Sequence, residues 1–216
     1  MDVRADLTKA AELAPERWQW VDSPQAGVRR VMLDRVGDEV AVATSFVRYA
    51  ENSTFPTHQH ALGEEFLVLE GEFGDEHGRY PAGTYVRNPA GTSHAPFSEP
   101  GCLIWVKLRQ FDLDDQDQFS LLMDTPVPTS GHEEVVLHSY RAEQVRELVA
   151  APDVELSVGD PSEVEELLVL EGTVAIGQAE YPRWSWLRLP AGASARLKVI
   201  APLRALVKTR PVYRED

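Results

Sequence analysis

The chain has 216 residues, a hydrophobic fraction of 43% and five tryptophans, enough apolar material for a packed core, which sets global disorder aside. Its formal net charge of −14 opposes a broad phosphate-binding face, so neither nucleic acid nor an anionic membrane is expected as a partner. At this length two domains of about 100 residues each are the natural division, and no apolar run approaches the roughly 20 residues that span a bilayer.

The first twenty residues contain no apolar signal-peptide core, which points to a cytoplasmic address. Residues 1–17 read as an N-terminal arm, with a helix predicted over 8–16. From there the chain reads as strands. Residues 40–49 (VAVATSFVRY) alternate and are rich in β-branched and aromatic side chains. Residues 66–69, 84–88 and 103–108 are short apolar runs of the same kind. Gly and Pro turn signals separate them at 36–38, 74–75, 77–78, 81–83 and 89–91. Many short strands with frequent turns predict an antiparallel sandwich or barrel. Cys102 is the only cysteine, which excludes a disulfide within the chain and any paired-cysteine zinc or redox site. It lies in an apolar strand-like run and reads as a buried thiol. Residues 113–130, acidic at first and then Pro-rich, read as a linker, and the aspartates of 112–117 as a solvated surface. A second helix is predicted at 142–148.

The sequence repeats itself. EEFLVLEG at 64–71 returns as EELLVLEG at 165–172, an offset of 101 residues. In the same register Tyr80-Pro81 falls on Tyr181-Pro182, Pro89-Ala90-Gly91 on Pro190-Ala191-Gly192, and Val106-Lys107 on Val207-Lys208. The chain is an internal duplication, with one domain over 18–112 and a second over 131–216.

His58 and His60 are two residues apart, on one face of an extended strand. Glu64 follows four positions later, and His94 comes after the 89–91 turn that swings the chain back. Three imidazoles and one carboxylate suit a divalent metal (Zn, Fe, Mn, Ni or Cu), with one or two coordination positions left for water or ligand. Glu65 is the alternative acid. Phe46, Phe97 and Trp105, with Glu65 and Tyr85, are the candidates to line a substrate pocket. Glu65 and Tyr85 are also the candidate bases.

The pattern His58-x-His60-x3-Glu64-x6-Gly71, followed by Gly83-x5-Pro89-x-Gly91-x2-His94, resembles the two cupin motifs. Asn52 stands where the first motif opens with Gly, and Asn tolerates a left-handed turn. Ser98 stands where the second motif ends with Asn. Residues 55–58, 64–73, 75–89 and 107–111 resemble more closely the cupin domain of the ChrR anti-sigma factors, which binds zinc. The resemblance implies an all-β protein of two tandem jelly-roll barrels, with one divalent metal (Zn, Fe, Mn or Ni) on His58, His60, Glu64 and His94. The helical anti-sigma domain of that family has no counterpart here, so a sigma factor is not expected as a partner. A homodimer is expected from the same resemblance.

The duplication acts as an internal control. At the offset of 101, His58 falls on Gly159, His60 on Pro161 and His94 on Ala195. The second half is therefore expected to be a degenerate cupin without metal ligands. Arg87, Lys107 and Arg109 are matched by Arg188, Lys208 and Arg210, which assigns them to folding. Glu165 keeps the place of Glu64 without the histidines, as a structural residue or a relic. Two functions fit: a metal-dependent oxygenase or isomerase acting on a small organic molecule, or a non-catalytic zinc-binding sensor.

Overall fold

A computed structural model describes residues 1–38 and 40–210; the end of the second predicted domain, 211–216, lies outside them. Among the described residues there is no α-helix, and one turn of 3-10 helix at Pro15–Arg17 accompanies the strands. No helix is long and apolar enough to cross a membrane. The chain forms two compact units, one from Met1–Ala5 and Gln19–Asp124, the other from Asp6–Trp18 and Thr125 onward.

In the first unit the main sheet runs in the order Phe119–Leu122, Thr84–Asn88, Glu64–Asp75, Cys102–Leu108, Val42–Tyr49, Val28–Val36 and Val21–Asp22. All the pairings along it are antiparallel. Glu64–Asp75 is long enough to leave this sheet at its far end and pair with Gly78–Pro81 and with Phe97–Ser98, which closes the jelly roll. Glycine allows the bend. Gly71 sits at φ +69°, and a Cβ there would lie 2.0 Å from the Gly101 carbonyl oxygen. Gly172 repeats this at φ +84°, 2.2 Å from the Pro202 oxygen, so the Glu-Gly step of both repeats is set by backbone approach.

The strands are apolar on both faces. One face packs Phe66, Val68, Phe73, Val86, Cys102, Ile104 and Val106 into a core. The other carries the cross-strand row Phe46, Trp105, Leu67 and Tyr85, each at most 1% exposed. Burial of side chains of this size contributes about 1.5–3 kcal/mol apiece. Cys102 is buried as expected, and burial pushes its thiol up to about 11. Asn52 takes φ +56°, the left-handed turn expected of it.

The second unit repeats this plan. Its sheet runs Ala11–Leu13, Trp186–Leu189, Val164–Ile176, Ala195–Arg210, Glu143–Ala150 and His132–Tyr140 around a core of Leu167, Val169, Leu197, Leu203 and neighbours.

Four expectations are corrected here. The helix predicted at 8–16 is instead the strand Ala11–Leu13, laid antiparallel on Trp186–Arg188. Pro15 ends the run, and pairing with an open edge outweighs the modest helix propensity of so short a segment. The helix predicted at 142–148 is the strand Glu143–Ala150, hydrogen-bonded on both sides. Its counterpart at offset 101 is Val42–Tyr49, so the repeat itself carried the right answer. The aspartates of 112–117 are not all solvated: Asp115 is 2% exposed and its carboxylate accepts from Arg87 at 2.5 Å. Within the stretch read as a linker, Phe119–Leu122 is a strand on Thr84–Asn88.

Candidate metal centre

The short strands His58–Gln59 and Ser93–His94 pair antiparallel, so that His94 lies directly across from His58. The hairpin is pinned on either side of the Gly91 turn: His60 N–H donates to the Thr92 carbonyl at 2.9 Å, and Gly91 N–H to the His60 carbonyl at 2.8 Å. Glu64 opens the long strand that follows, opposite Asn88. These placements bring the four predicted ligands together. One donor atom each from His58, His60, Glu64 and His94 lies within 4.8 Å of the others, a group that could hold a metal ion. The imidazole centroids are 4.6–5.2 Å apart. Nε2 of His60 and of His94 are 3.6 and 3.5 Å from the same Glu64 carboxylate oxygen.

The hydrogen bonds fix which nitrogen faces this centre. Thr92 donates its hydroxyl proton to the Pro89 carbonyl at 2.7 Å, leaving its oxygen to accept from His60 Nδ1 at 2.9 Å. His94 Nδ1 donates to the Asp75 carboxylate at 3.1 Å, and His58 Nδ1 to the Pro56 carbonyl at 3.4 Å. All three rings therefore carry their Nδ1 proton in these bonds, which leaves Nε2 as the nitrogen available to a metal. His60 Nε2 is buried and has no hydrogen-bond partner. An orphaned buried acceptor is costly unless something occupies its lone pair, so the donor set fits a divalent cation.

Burial and the neighbouring His94 and His58 rings push the His60 imidazole down to about 3, which keeps it neutral at physiological pH. His58 is lowered for the same reasons, though its ring is exposed. Burial raises Glu64, opposed by His94 and by a hydrogen bond with Asn88. Burial also acts upward on Asp75, but its bonds from His94 and from the His77 N–H outweigh it and leave the carboxyl below its usual range. Imidazoles whose neutral form is favoured at His58 and His60, beside a carboxylate kept from full solvation, suit a cation, whose charge would favour the ionised Glu64.

The cluster opens into a cavity of about 450 Å³. His58, His60 and Glu64 form part of its wall, with Val47, Tyr49 and Phe55 on an apolar side. The five residues predicted to line a pocket lie elsewhere. Phe46, Tyr85 and Trp105 belong to the buried row on the opposite sheet face. Glu65 is there too, taking a short hydrogen bond from the Tyr85 hydroxyl and lying 3.5 Å from Arg87. Phe97 packs beneath Arg79, against Gly74. Strand alternation explains the difference: Val47 and Tyr49 share the cavity face, and Phe46 between them points away.

Sequence reasoning passed over Asp75, Thr92 and Tyr49, and it assigned Arg109 to folding. One signal marks the first three. At the repeat offset they become Ile176, Ala193 and Ala150, lost together with the candidate ligands that Asp75 and Thr92 support and the cavity that Tyr49 lines. The second unit shows what replaced the site. Glu165 accepts from the Gly159 N–H at 2.6 Å and from Arg146 at 2.6 Å, and Arg146 also reaches Glu134 at 2.8 Å. A guanidinium fixed within the fold neutralises the surviving acid, so Glu165 has a structural role. Gly159, at φ +113°, has no room for the His58 side chain: a Cβ would fall 2.2 Å from the Ala193 carbonyl oxygen.

Residues 8–112 match the ChrR cupin-like domain family. No curated protein matches the chain by sequence. Among solved structures, a Nostoc punctiforme protein provisionally named a dioxygenase superposes with TM-score 0.74 at 13% identity, covering 97% of this chain and 85% of that one. The Escherichia coli pirin YhhW, in complex with nickel(II), gives 0.70 at 14% identity over 94% and 100%. Bacillus subtilis oxalate decarboxylase, with Mn(II) centres, gives 0.62 at 11% over 95% and 78%. At these identities the likeness is one of fold.

Proposed function

We propose that this cupin, a member of the ChrR cupin-like domain family through residues 8–112, binds one divalent cation on His58, His60, Glu64 and His94 and acts there on a small organic molecule. The reading is that of a metal-dependent oxygenase or isomerase. It is carried by one observation: each histidine has its Nδ1–H committed to Thr92, Pro56 or Asp75, so three Nε2 lone pairs converge beside Glu64 at the edge of a 450 Å³ cavity. When bound, such a cation supplies Lewis-acid chemistry and, if iron, redox chemistry with dioxygen. The protein's own contribution is to hold the rings in one tautomer and to present Val47, Tyr49 and Phe55 to the apolar part of a ligand. A cavity of this size is ordinary for small-molecule sites.

A second reading, a zinc-binding sensor without turnover, draws support from the match to the ChrR cupin-like family. The metal separates the two. Protein purified without added metal is expected to carry close to one equivalent per chain by elemental analysis, and His60→Ala less than about a tenth of that. Iron, manganese or nickel supports the enzyme; zinc that survives dialysis, with no oxygen uptake on any organic substrate, supports the sensor. A wild-type chain that binds none of these ions after reconstitution overturns both. The homodimer rests on the family resemblance; light scattering of the same preparation checks it.

A further inference from the structure

The cavity beside the metal cluster has one Arg or Lys among its lining residues, Arg109. The chain carries 35 acidic residues against 21 Lys and Arg, and its buried cations are engaged: Arg87 on Asp115, Lys107 on Thr44, Lys208 on Glu143. Arg109 differs. Its side chain makes no ion pair or hydrogen bond among the described residues, and it is only partly exposed. An arginine left unpaired on a cavity wall in so acidic a protein is a binding group waiting for an anion.

The backbone holds it there. Arg109 lies at φ +62°, a left-handed conformation that is uncommon outside glycine and is costly unless the surroundings impose it. The surroundings do. Arg109 N–H donates to the Gly63 carbonyl at 2.9 Å, and Phe111 N–H to the Leu62 carbonyl at 3.2 Å. The turn that carries Arg109 is thereby tied to the turn that delivers Glu64, and Leu108, the residue before it, is the ladder partner of Glu64.

The duplicate shows what the same position does without this role. Arg210 ends the strand Ala195–Arg210, and its guanidinium forms an ion pair with Glu166, Nε lying 2.9 Å from the carboxylate, with both side chains buried. The corresponding acid of the first unit, Glu65, is taken by Tyr85 and Arg87 instead. Sequence matching had assigned Arg109 to folding because Arg210 survives. The two arginines share a position and differ in use.

We propose that Arg109 anchors the carboxylate of an organic acid in this cavity, so that the small molecule of the metal site is an organic carboxylate. This rests on the reading of the cluster as a metal centre: the ligand would span from the cation, through an oxygen donor, to the guanidinium, with its carbon skeleton along Val47, Tyr49 and Phe55.

The test is calorimetric titration of metal-loaded wild type, Arg109→Gln and Arg109→Lys with glutarate, phenylacetate, dimethyl glutarate and inorganic phosphate. One of the two acids should bind wild type, and Arg109→Gln should weaken it by about 10-fold to 100-fold. The neutral ester should be insensitive to the substitution, and metal content should be equal in all three proteins. Equal affinity of wild type and Arg109→Gln for both acids overturns the proposal. So does absence of binding by either acid, and so does phosphate binding as tightly as the acids, which would make the site a general anion trap. The same titration on chelator-stripped wild type separates the two readings. Arg109-dependent binding in a chain that takes up no metal would leave the anchor standing and sink the metal centre.

Discussion

Ser45→Arg is expected to abolish the metal binding proposed for the cluster while leaving the barrel folded. Ser45 occupies in the first unit the place of Arg146 in the second. Each pairs with the corresponding valine of the next strand, Val106 or Val207, which in turn pairs with Phe66 or Leu167. Ser45 shares a strand face with Val47 and Tyr49 of the cavity wall. An arginine there would reach Glu64 as Arg146 reaches Glu165 at 2.6 Å, supplying a covalently attached cation in competition with the free one. Metal affinity should fall about 100-fold or more, read as loss of the bound equivalent on dialysis against a weak chelator. Ser45→Leu is the control for bulk. Retention by Ser45→Leu and loss by Ser45→Arg assign the effect to charge. Full metal retention by Ser45→Arg would mean that the second unit lost its site for another reason.

Arg87→Met is expected to destabilise the first unit by about 3–5 kcal/mol, the usual consequence of removing one partner from a buried ionic group. Arg87 is fully buried, with Asp115 at 2.5 Å, Glu65 at 3.5 Å and the Phe111 ring 4.3 Å beneath the guanidinium. Without it two carboxylates, at 0% and 2% exposure, lose the guanidinium that both approach. Each must then stay charged in a poor solvent or take up a proton. The loss is a large fraction of ordinary domain stability and should appear as an earlier first transition in guanidinium. Arg87→Met/Glu65→Gln/Asp115→Asn should recover part of it, since the stranded charges go with the arginine. A single variant whose first transition is unmoved would show that the cluster contributes nothing to folding.

The clustering of His58, His60, Glu64 and His94 was legible in the sequence because metal chemistry constrains spacing. His58 and His60 must share a strand face, and His94 must return after a turn, so the set could be read without knowing the sheet order. The cavity wall was not legible for the opposite reason. Residues 43–46 and 102–107 are buried on both faces of their strands, so alternation there does not say which side holds the site. A choice one residue out of phase then selects Phe46 over Val47 for the cavity wall. Arg109 was hidden by the duplication itself, which reports that a residue is kept but not which neighbour it has. Read in the other direction, by asking what changes along with the histidines, the duplication points to Asp75, Thr92 and Ser45.

The sheet edges carry a history. In each unit the strand equivalent to Thr84–Asn88 is completed by the segment that leads into the other repeat: Phe119–Leu122 precedes the second repeat and pairs in the first unit, while Ala11–Leu13 precedes the first repeat and pairs in the second. A gene encoding one repeat with its leading segment would make a polypeptide with an edge strand it cannot use and an open edge it cannot fill. Two such polypeptides satisfy each other by exchange. Residues 1–112 made alone should therefore elute as a dimer or larger species, whereas residues 19–124, which contain the whole first-unit sheet, should elute as a monomer. On this view the gene records an ancient trade of strands between two copies, made permanent by fusion.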